Sequence, residues 1–266
     1  MRPVVLLGVS RSGTTLLRVL LGKSPDLAAP PETPWITGAY GRGSLRDLID
    51  ALIEAPTGPV ENLSGLDEGA VYAAGRAFVE TLLAPYATAR GKTRLVLKTP
   101  KDLPHVGFLV RLFPDACFVH VRRDGRDVAC STVRRKGMVG LGAHGAVTLE
   151  NALLRWVEWE DHLRAAVAEG GLSLAATVRY EDLVEEPEAV LRALCAAVSA
   201  RFEPAMLDYD LEGVDLPAWE AGSTDVREHT AIDRASVGRF RREVPPAEQA
   251  ALEARFGADL ARLGYG

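Results

Sequence analysis

The segment 4–18 constrains the fold of this chain more than any other, because it joins an apolar run to a glycine-bounded loop and a helix start. The apolar run, residues 4–7, is typical of a buried strand in a parallel sheet. Gly8, four further residues, Gly13 and leucines at helical spacing follow it. Glycines let backbone N–H groups turn toward an anion, and a helix start adds partial positive charge. The segment therefore predicts a phosphate-binding loop at the end of a first strand.

This loop departs at one position from the phosphate-binding loop of enzymes that use nucleoside triphosphates. That loop ends in Gly-Lys-Ser/Thr, and its lysine reaches the β- and γ-phosphates. Here Thr14 occupies the lysine position, and Arg11 lies inside the loop instead. The pattern favours a 5′-phosphate ester with one further group over a triphosphate with magnesium. If Gly8 and Gly13 are taken alone, an ordinary glycine turn before a helix is the alternative interpretation.

The composition predicts one globular domain that covers residues 1–266. The chain is 47% hydrophobic and 25% charged, and its net charge of −5 argues against a general surface for nucleic acid. Any anion site is therefore expected to be local. No apolar run reaches the length of a membrane span, and the first strand starts too early to leave room for a signal peptide. We therefore expect a cytoplasmic protein without a membrane span.

The three cysteines are too few and too far apart to form a disulfide framework. They are Cys117, Cys130 and Cys195, an odd and widely spaced set that fits a reducing compartment. None of them pairs with a histidine at the spacing of metal ligands. The sequence therefore predicts no metal site.

Two later apolar runs end in basic residues. Residues 95–97 lead into Lys98, and residues 117–121 lead toward Arg123 and Arg126. Because the carboxyl ends of parallel strands meet at one edge of a sheet, we expect these cations to converge with the phosphate-binding loop. Any single one of them could be a solvated strand-end charge, but their repetition favours a site. A triphosphate enzyme would instead place a carboxylate for magnesium there.

The remaining segments complete an α/β pattern. A fourth strand is expected over residues 172–178, two apolar stripes within residues 43–90 predict a helical insertion, and Thr148 is placed to cap a long helix. Pro187 and the prolines at 245–246 open two later helices. We therefore predict an α/β fold with a P-loop-like, doubly wound parallel sheet flanked by helices, with helical insertions.

Two loops have the composition of functional segments. The proline-rich segment 28–35 favours an extended loop that crosses the carboxyl ends of the strands, where ligands bind in parallel sheets. Glu32 is the only acid in it, and a solvated loop carboxylate is the alternative interpretation of this residue. The glycine-rich, nearly uncharged segment 137–147 fits a mobile lid and a plain linker equally well.

Taken together, these segments resemble the sulfotransferases that use 3′-phosphoadenosine 5′-phosphosulfate (PAPS). The resemblance runs from Val4 to about Pro187, and it is strongest to the branch that contains the tyrosylprotein sulfotransferases and many bacterial relatives. Four motifs occur in the order of that family. They are Arg11-Ser12-Gly13-Thr14-Thr15, then Lys98, then Arg123-Asp124-Gly125-Arg126 with Ser131, and finally Tyr180-Glu181-Asp182-Leu183.

The resemblance implies how each motif would be used. The donor would be PAPS and the product 3′,5′-adenosine diphosphate, without a metal. The loop Arg11, Ser12, Gly13, Thr14 and Thr15 would hold the 5′-phosphosulfate, and Arg123 with Ser131 and Arg135 would hold the 3′-phosphate. Tyr180 would lie near the adenine, and Arg239 would reach the nucleotide from the C-terminal segment. Lys98 and Arg11 would neutralise the leaving phosphate.

The resemblance also implies which residue is the base. Cytosolic sulfotransferases carry a catalytic histidine where this chain has Pro100, so the usual base is missing. In the tyrosylprotein branch the base is a glutamate in a Glu-Thr segment after the first helix, which corresponds to Glu32 here. We therefore expect Glu32 to be catalytic, with His105 as the reserve. A loose correspondence places Ser223 and Thr224 against the transferred group.

Three functions are compared. The first is a PAPS-dependent sulfotransferase that acts on a hydroxyl of a small-molecule, glycan or lipid acceptor. The second is a nucleotide-dependent phosphotransferase, which Thr14 in the lysine position argues against. The third is a non-catalytic nucleotide-binding protein, which the presence of both Lys98 and Glu32 argues against. The many Ala, Arg and Gly residues suggest a bacterium of high GC content. The resemblance implies that a bacterial sulfotransferase of this size acts in secondary metabolism or on a glycolipid or a sugar, and a homodimer is left open.

Overall fold

A five-stranded parallel sheet forms the centre of the protein. The computed structural model describes residues 1–38, 43–54, 60, 63, 66–135, 141–209 and 231–266. The strands are β1 (Val4–Leu7), β2 (Leu27–Ala28), β3 (Arg94–Lys98), β4 (Cys117–Arg122) and β5 (Leu174–Arg179). Their order is β2-β3-β1-β4-β5, and every pairing is parallel. Because β1 lies at the centre and the order reverses on either side of it, the predicted doubly wound sheet is confirmed.

Helices flank this sheet. In the described parts of the chain they are α1 (Thr14–Gly22), α2 (Leu45–Glu54), α3 (Glu68–Thr88), α4 (Val106–Leu112), α5 (Gly125–Arg134), α6 (Leu149–Ala168), α7 (Tyr180–Glu185), α8 (Pro187–Ala197), α9 (Arg239–Glu243) and α10 (Pro246–Arg262). A 3-10 turn over Pro100–His105 joins β3 to α4. Among these helices, none is both long enough and apolar enough to span a bilayer.

The alternation of side chains along β1 produces two separate cores. Val4 and Leu6 belong to a core that includes apolar residues of α1 and α8, whereas Val5 and Leu7 belong to a core that includes residues of α3, α4 and α6. Successive side chains of a strand point to opposite faces, so a strand covered on both faces reads as a continuous apolar run. This is why residues 4–7 show no polar alternation.

Most of the predicted elements are present with shifted ends. The predicted fourth strand begins at Leu174 rather than at residue 172, and the helical insertion consists of α2 and α3. The side chain of Thr148 accepts a hydrogen bond from the backbone N–H of Asn151 at 3.1 Å, so the predicted cap of α6 is confirmed. Strand β2 was not predicted, because two residues are too short to show a period. Of the glycine-rich segment 137–147, residues 137–140 lie outside the described residues.

Candidate active site

The carboxyl ends of β1, β3 and β4 form one edge of the sheet, and the loops that follow them meet there. Leu6 of β1 is paired with Lys98 at the end of β3, and Leu7 is paired with His120 of β4. This register places Lys98 beside the phosphate-binding loop, as the order of parallel strands requires.

Lys98 and Glu32 form a buried ion pair at this edge. The Nζ of Lys98 donates a hydrogen bond to Oε1 of Glu32, and the two side chains are only 1% and 5% exposed. The backbone N–H of Thr33 donates to Oγ1 of Thr99 at 3.1 Å, which ties the Glu32 loop to the end of β3. Removing one member of such a pair leaves an uncompensated charge and costs about 3–5 kcal/mol. Two of the three predicted catalytic residues, Glu32 and Lys98, are therefore in direct contact.

Two further bonds hold the loop that carries Glu32. Arg18 of α1 is fully buried, and its Nη1 donates to the carbonyl of Pro30 at 2.8 Å. The hydroxyl of Tyr86 donates to the carbonyl of Ala29 at 3.0 Å. These anchors come from α1, which precedes β2, and from α3, which follows it, so two helices fix the position of the Glu32 loop.

Asp102 is a second buried carboxyl group near this pair, and the sequence analysis did not identify it. Oγ1 of Thr37 donates a hydrogen bond to its Oδ1. Burial raises the pKa of Asp102 to about 7, bonds from Thr37 and Thr99 oppose that shift, and the charge of Glu32 adds to it. Its position in the turn directly after Lys98 is the one sequence signal that could have drawn attention to it.

The raised pKa of Asp102 predicts how stability depends on pH. The folded protein holds a proton on Asp102 that the unfolded chain releases near its ordinary pKa of 3.8. The free energy of unfolding should therefore fall as pH rises from about 4 to about 7 and level off above it. The variant Asp102→Asn has no proton to lose at this position. The difference between its free energy of unfolding and that of the wild type should therefore increase by roughly 2–4 kcal/mol from pH 4.5 to pH 8. Urea unfolding at several pH values measures this difference.

Asp47→Asn is the matched control for that experiment. Hydrogen bonds from the backbone and side chain of Ser44 lower the pKa of the exposed Asp47 carboxyl. The stability that Asp47 contributes is therefore lost as pH falls, whereas the stability that Asp102 contributes is lost as pH rises. If the Asp102→Asn and wild-type curves run parallel with pH, Asp102 is already ionised in the folded protein at pH 5.

The phosphate-binding loop has the backbone that an anion site requires. Gly13 has a φ of 94° and Arg11 has a φ of 80°, both in the left-handed region. Ser12 is fully buried between them, and within the described parts of the chain its Oγ has no hydrogen-bond partner. A Cβ at Gly8 would overlap the carbonyl of Val121, so only glycine fits where β1 ends.

The predicted nucleotide-binding side chains lie together beside this loop. Nε of Arg11 donates to Oγ of Ser131 at 3.0 Å, and Nη1 of Arg123 donates to the carbonyl of Arg11 at 3.1 Å. The Arg123 guanidinium lies 4.3 Å from the centroid of the Tyr180 ring, which itself packs against Gly13. Arg123 is only 4% exposed, and its hydrogen bond to the carbonyl of Arg11 also stabilises the loop.

The basic C-terminal segment is fixed against the same residues. Asp127 accepts hydrogen bonds from the backbone N–H groups of Gly238 and Phe240, at 2.7 and 2.8 Å, and so caps the start of α9. The guanidinium of Arg123 donates to the carbonyl of Ser236, whose Oγ accepts from Arg239 at 3.2 Å. Ser236 thus links Arg239 to Arg123.

Other predicted residues are placed elsewhere. The expectation that Arg126 converges with the loop is wrong: its guanidinium bonds Asp124, Glu253 and the carbonyl of Tyr265, which ties α5 to α10. His105 lies 2.6 Å from Arg46 through Nδ1, and burial lowers its pKa. Two more predicted residues, Ser223 and Thr224, lie outside the described residues. Arg135 follows the end of α5 and is close enough to Lys101 to lower the pKa of that lysine.

Gly13→Ala should damage both the fold and the loop. The new Cβ would overlap the Tyr180 ring, and alanine is strained at a φ of 94°. We expect a loss of about 1–3 kcal/mol in the free energy of unfolding. Gly107→Ala in α4 is the matched control, because nothing lies within 4 Å of its added Cβ, and alanine favours a helix by up to about 1 kcal/mol. Denaturant unfolding compares them, and equal stability of both variants would contradict the close packing of Tyr180 on the loop.

Comparisons with known proteins point to one family. A sequence model of a protein family, described as the sulfotransferase family, matches residues 3–204, which is most of the chain. The nodulation protein NoeE of Sinorhizobium fredii is 30% identical over 282 residues, covering 98% of this chain and 65% of NoeE. Protein-tyrosine sulfotransferase 2 of Gallus gallus is 26% identical over 276 residues, covering 99% of this chain and 69% of that protein. This chain therefore spans about two thirds of the length of both relatives.

A solved structure supports the fold. The sulfotransferase domain from the curacin biosynthetic pathway superposes with a TM-score of 0.62 at 21% identity, covering 96% of this chain and 97% of that domain. At this identity the likeness concerns the fold alone.

Proposed function

The chain belongs to the sulfotransferase family, and from this premise we propose that it is a PAPS-dependent O-sulfotransferase with Glu32 as its general base. When bound, PAPS supplies the sulfuryl group that passes to a hydroxyl of the acceptor, and 3′,5′-adenosine diphosphate is left as product. We propose no metal requirement, because Lys98 and Arg123 stand at strand ends where a magnesium-dependent enzyme places carboxylates.

The loop and its neighbours fit a donor with two phosphate groups. The buried Oγ of Ser12 has no partner among the described residues. Helix α1 begins at Thr14, and the first N–H groups of a helix have no partner within it. We assign the 5′-phosphosulfate to residues 11–15 on this ground. We assign the 3′-phosphate to Arg123, Ser131 and Arg135, and the remaining nucleotide contacts to Tyr180 and Arg239. Arginine suits these roles because its planar guanidinium matches phosphate oxygens.

The Glu32–Lys98 pair is the observation that carries the proposed reaction. The carboxylate of Glu32 takes the proton of the acceptor hydroxyl, which is general-base catalysis. As Glu32 becomes neutral, the ammonium of Lys98 loses its balancing charge in a buried setting. It is then available to offset the negative charge that develops on the leaving phosphate, together with Arg11 and the loop amides. Positioning and electrostatics suffice for this transfer, so no covalent enzyme intermediate is needed.

Nucleotide binding and turnover test this function. We expect calorimetry to detect tight binding of 3′,5′-adenosine diphosphate without magnesium, and much weaker binding of ATP with magnesium. Labelled PAPS incubated with a panel of hydroxylated small molecules, glycans and lipids should give labelled products. Preference for ATP with magnesium, together with phosphoryl transfer, would replace this function by that of a phosphotransferase.

The wider setting is proposed on the same basis. We propose a single domain over residues 1–266, a cytoplasmic location and a bacterial role in secondary metabolism. NoeE, one of the similar proteins, is bacterial and is named as a nodulation protein. Size-exclusion chromatography with light scattering tests whether two copies associate.

A further inference from the structure

Arg155 of α6 carries a buried charge that the described residues do not bond. The residue is 5% exposed, and its Nε and Nη2 atoms are fully buried without a hydrogen-bond partner in the described ranges. Its guanidinium lies 5.4 Å from the centroid of the Trp159 ring. Burial lowers the pKa of Arg155, yet an arginine stays protonated at neutral pH. A contact with an aromatic ring offsets only part of the cost of burying a charge, so this residue is better explained by a ligand than by packing.

The acids of α6 are engaged by other bases. Glu160 pairs with His120 at 3.1 Å in the buried interior. The remaining pairs on this helix are Glu150 with Arg255, Glu158 with His144, and Asp161 with Arg262. The charge of Arg155 is therefore not offset by an acid of its own helix.

Arg155 lies on the side of the site where Glu32 is. Helix α6 packs against the 3-10 turn that follows Lys98 and contains Lys101. Burial lowers the pKa of Lys101, the charges of Arg155 and Arg135 lower it further, and the charge of Glu32 opposes them. The charges of Arg155, Lys101 and Glu32 thus lie within electrostatic range of one another, and the carboxylate of Glu32 is paired with Lys98.

Arg155 and Lys101 are not among the residues assigned to the donor, whereas Arg135 is. Arg11 and Arg123 bond Ser131 and the loop backbone. An anion bound by Arg155 would therefore belong to the acceptor.

We propose that Arg155 binds an oxyanion of the acceptor, a carboxylate or a phosphate, beside the hydroxyl that Glu32 deprotonates. This inference rests on the proposed function and narrows the acceptor to hydroxylated acids or phosphate esters. A guanidinium matches the two oxygens of such a group, and its bond gains strength in a dry site. Arg155 is then the residue that determines acceptor specificity, with Lys101 adding positive potential.

Matched acceptor pairs test the proposal. With PAPS as donor, kcat/KM is compared for glucuronate and glucose 6-phosphate against glucose, and for 4-hydroxyphenylacetate against 4-hydroxyphenylacetamide. We expect the charged member of at least one pair to be preferred by about 10- to 100-fold. Arg155→Met should remove that preference, mainly by raising KM for the charged member. It should leave kcat/KM for the neutral member within about twofold of the wild-type value. Arg155→Lys should restore part of it. The glucuronate and glucose 6-phosphate arms separate a carboxylate from a phosphate.

Two controls test whether the effect of Arg155→Met arises instead from the donor site or from a change in the fold. Arg164→Met removes an exposed arginine of the same helix, which bonds the carbonyl of Arg262, and it should leave both members of each pair unchanged. Affinity for 3′,5′-adenosine diphosphate should be the same in the wild type and in Arg155→Met. If Arg155→Met weakens nucleotide binding, lowers both members of each pair alike, or unfolds at a markedly lower temperature, the proposal is overturned.

A measurement without turnover separates this proposal from the proposed function. With 3′,5′-adenosine diphosphate at saturation, inorganic phosphate should raise the melting temperature of the wild type more than chloride does at equal ionic strength. Arg155→Met should lose that increment. An equal increment in both proteins overturns the anion site, whereas failure of every acceptor with PAPS refutes the proposed function itself.

Discussion

Replacement of Glu32 by glutamine is expected to lower kcat by about 10²- to 10⁴-fold. Glutamine keeps the size of the side chain and can still accept the hydrogen bond from Lys98, but it cannot take the proton of the acceptor. The loop that carries Glu32 is held through Pro30 and Thr33, so its backbone should not move. Affinity for 3′,5′-adenosine diphosphate should change by only a few fold. Steady-state kinetics with labelled PAPS and calorimetry measure the two quantities.

Glu80→Gln is the matched control for that variant. Glu80 is also a glutamate paired with cations, since it bonds the N-terminal amine and Arg76, but it lies at the other end of the sheet from Lys98. Its substitution should leave kcat within about twofold, as expected for a surface change. If Glu32→Gln keeps more than a tenth of the wild-type kcat, Glu32 is not the base.

Replacement of Lys98 by methionine is expected to lower kcat by about 10²- to 10³-fold. The ammonium of Lys98 lies at the end of β3, where it contacts the proposed base and adjoins the loop that would hold the leaving phosphate. The same variant leaves the Glu32 carboxylate buried without its partner, which should cost about 3–5 kcal/mol of stability. Kinetics are therefore measured at a temperature where unfolding curves show the variant to be folded.

Two further variants separate catalysis from stability. Lys92→Met removes a half-buried lysine that bonds the carbonyl of Gly22 before β3 begins, and it should leave kcat unchanged. The double variant Glu32→Gln with Lys98→Met should recover stability relative to Lys98→Met, because no unpaired charge remains. Because the two residues act as a unit, kcat of the double variant should be no lower than that of the less active single variant. A stable Lys98→Met protein with normal kcat would show that Lys98 has no catalytic role.

Local sequence was sufficient for the parts of the site that lie on one segment. The glycine spacing and the apolar run predicted β1, the loop and α1, because strand burial, left-handed turns and helix periodicity each depend on neighbouring residues. Segment 28–35 was predicted to cross the strand ends because prolines exclude a helix there. Strand β2 escaped this reasoning, since its two residues give no pattern to detect.

Long-range packing decided the features that were missed. Arg126 looked equivalent to Lys98 as a strand-end cation, but α10 supplies the acid and the carbonyl that bind it. Asp102 and Arg155 look like ordinary surface residues in the sequence. Their burial follows only when α6 packs over the turn after β3.

The amino-acid order alone predicted a parallel sheet, a phosphate-binding loop after its first strand and basic residues at later strand ends, because each of these features depends on short-range spacing. The tertiary structure decided which charges meet. Lys98 and Glu32 are paired across 66 residues of chain, and Arg155 is enclosed with no ion-pair partner among the residues that the structure describes. Pairing and desolvation of charges depend on distances between segments far apart in sequence, and these distances exist only once the helices have closed over the sheet.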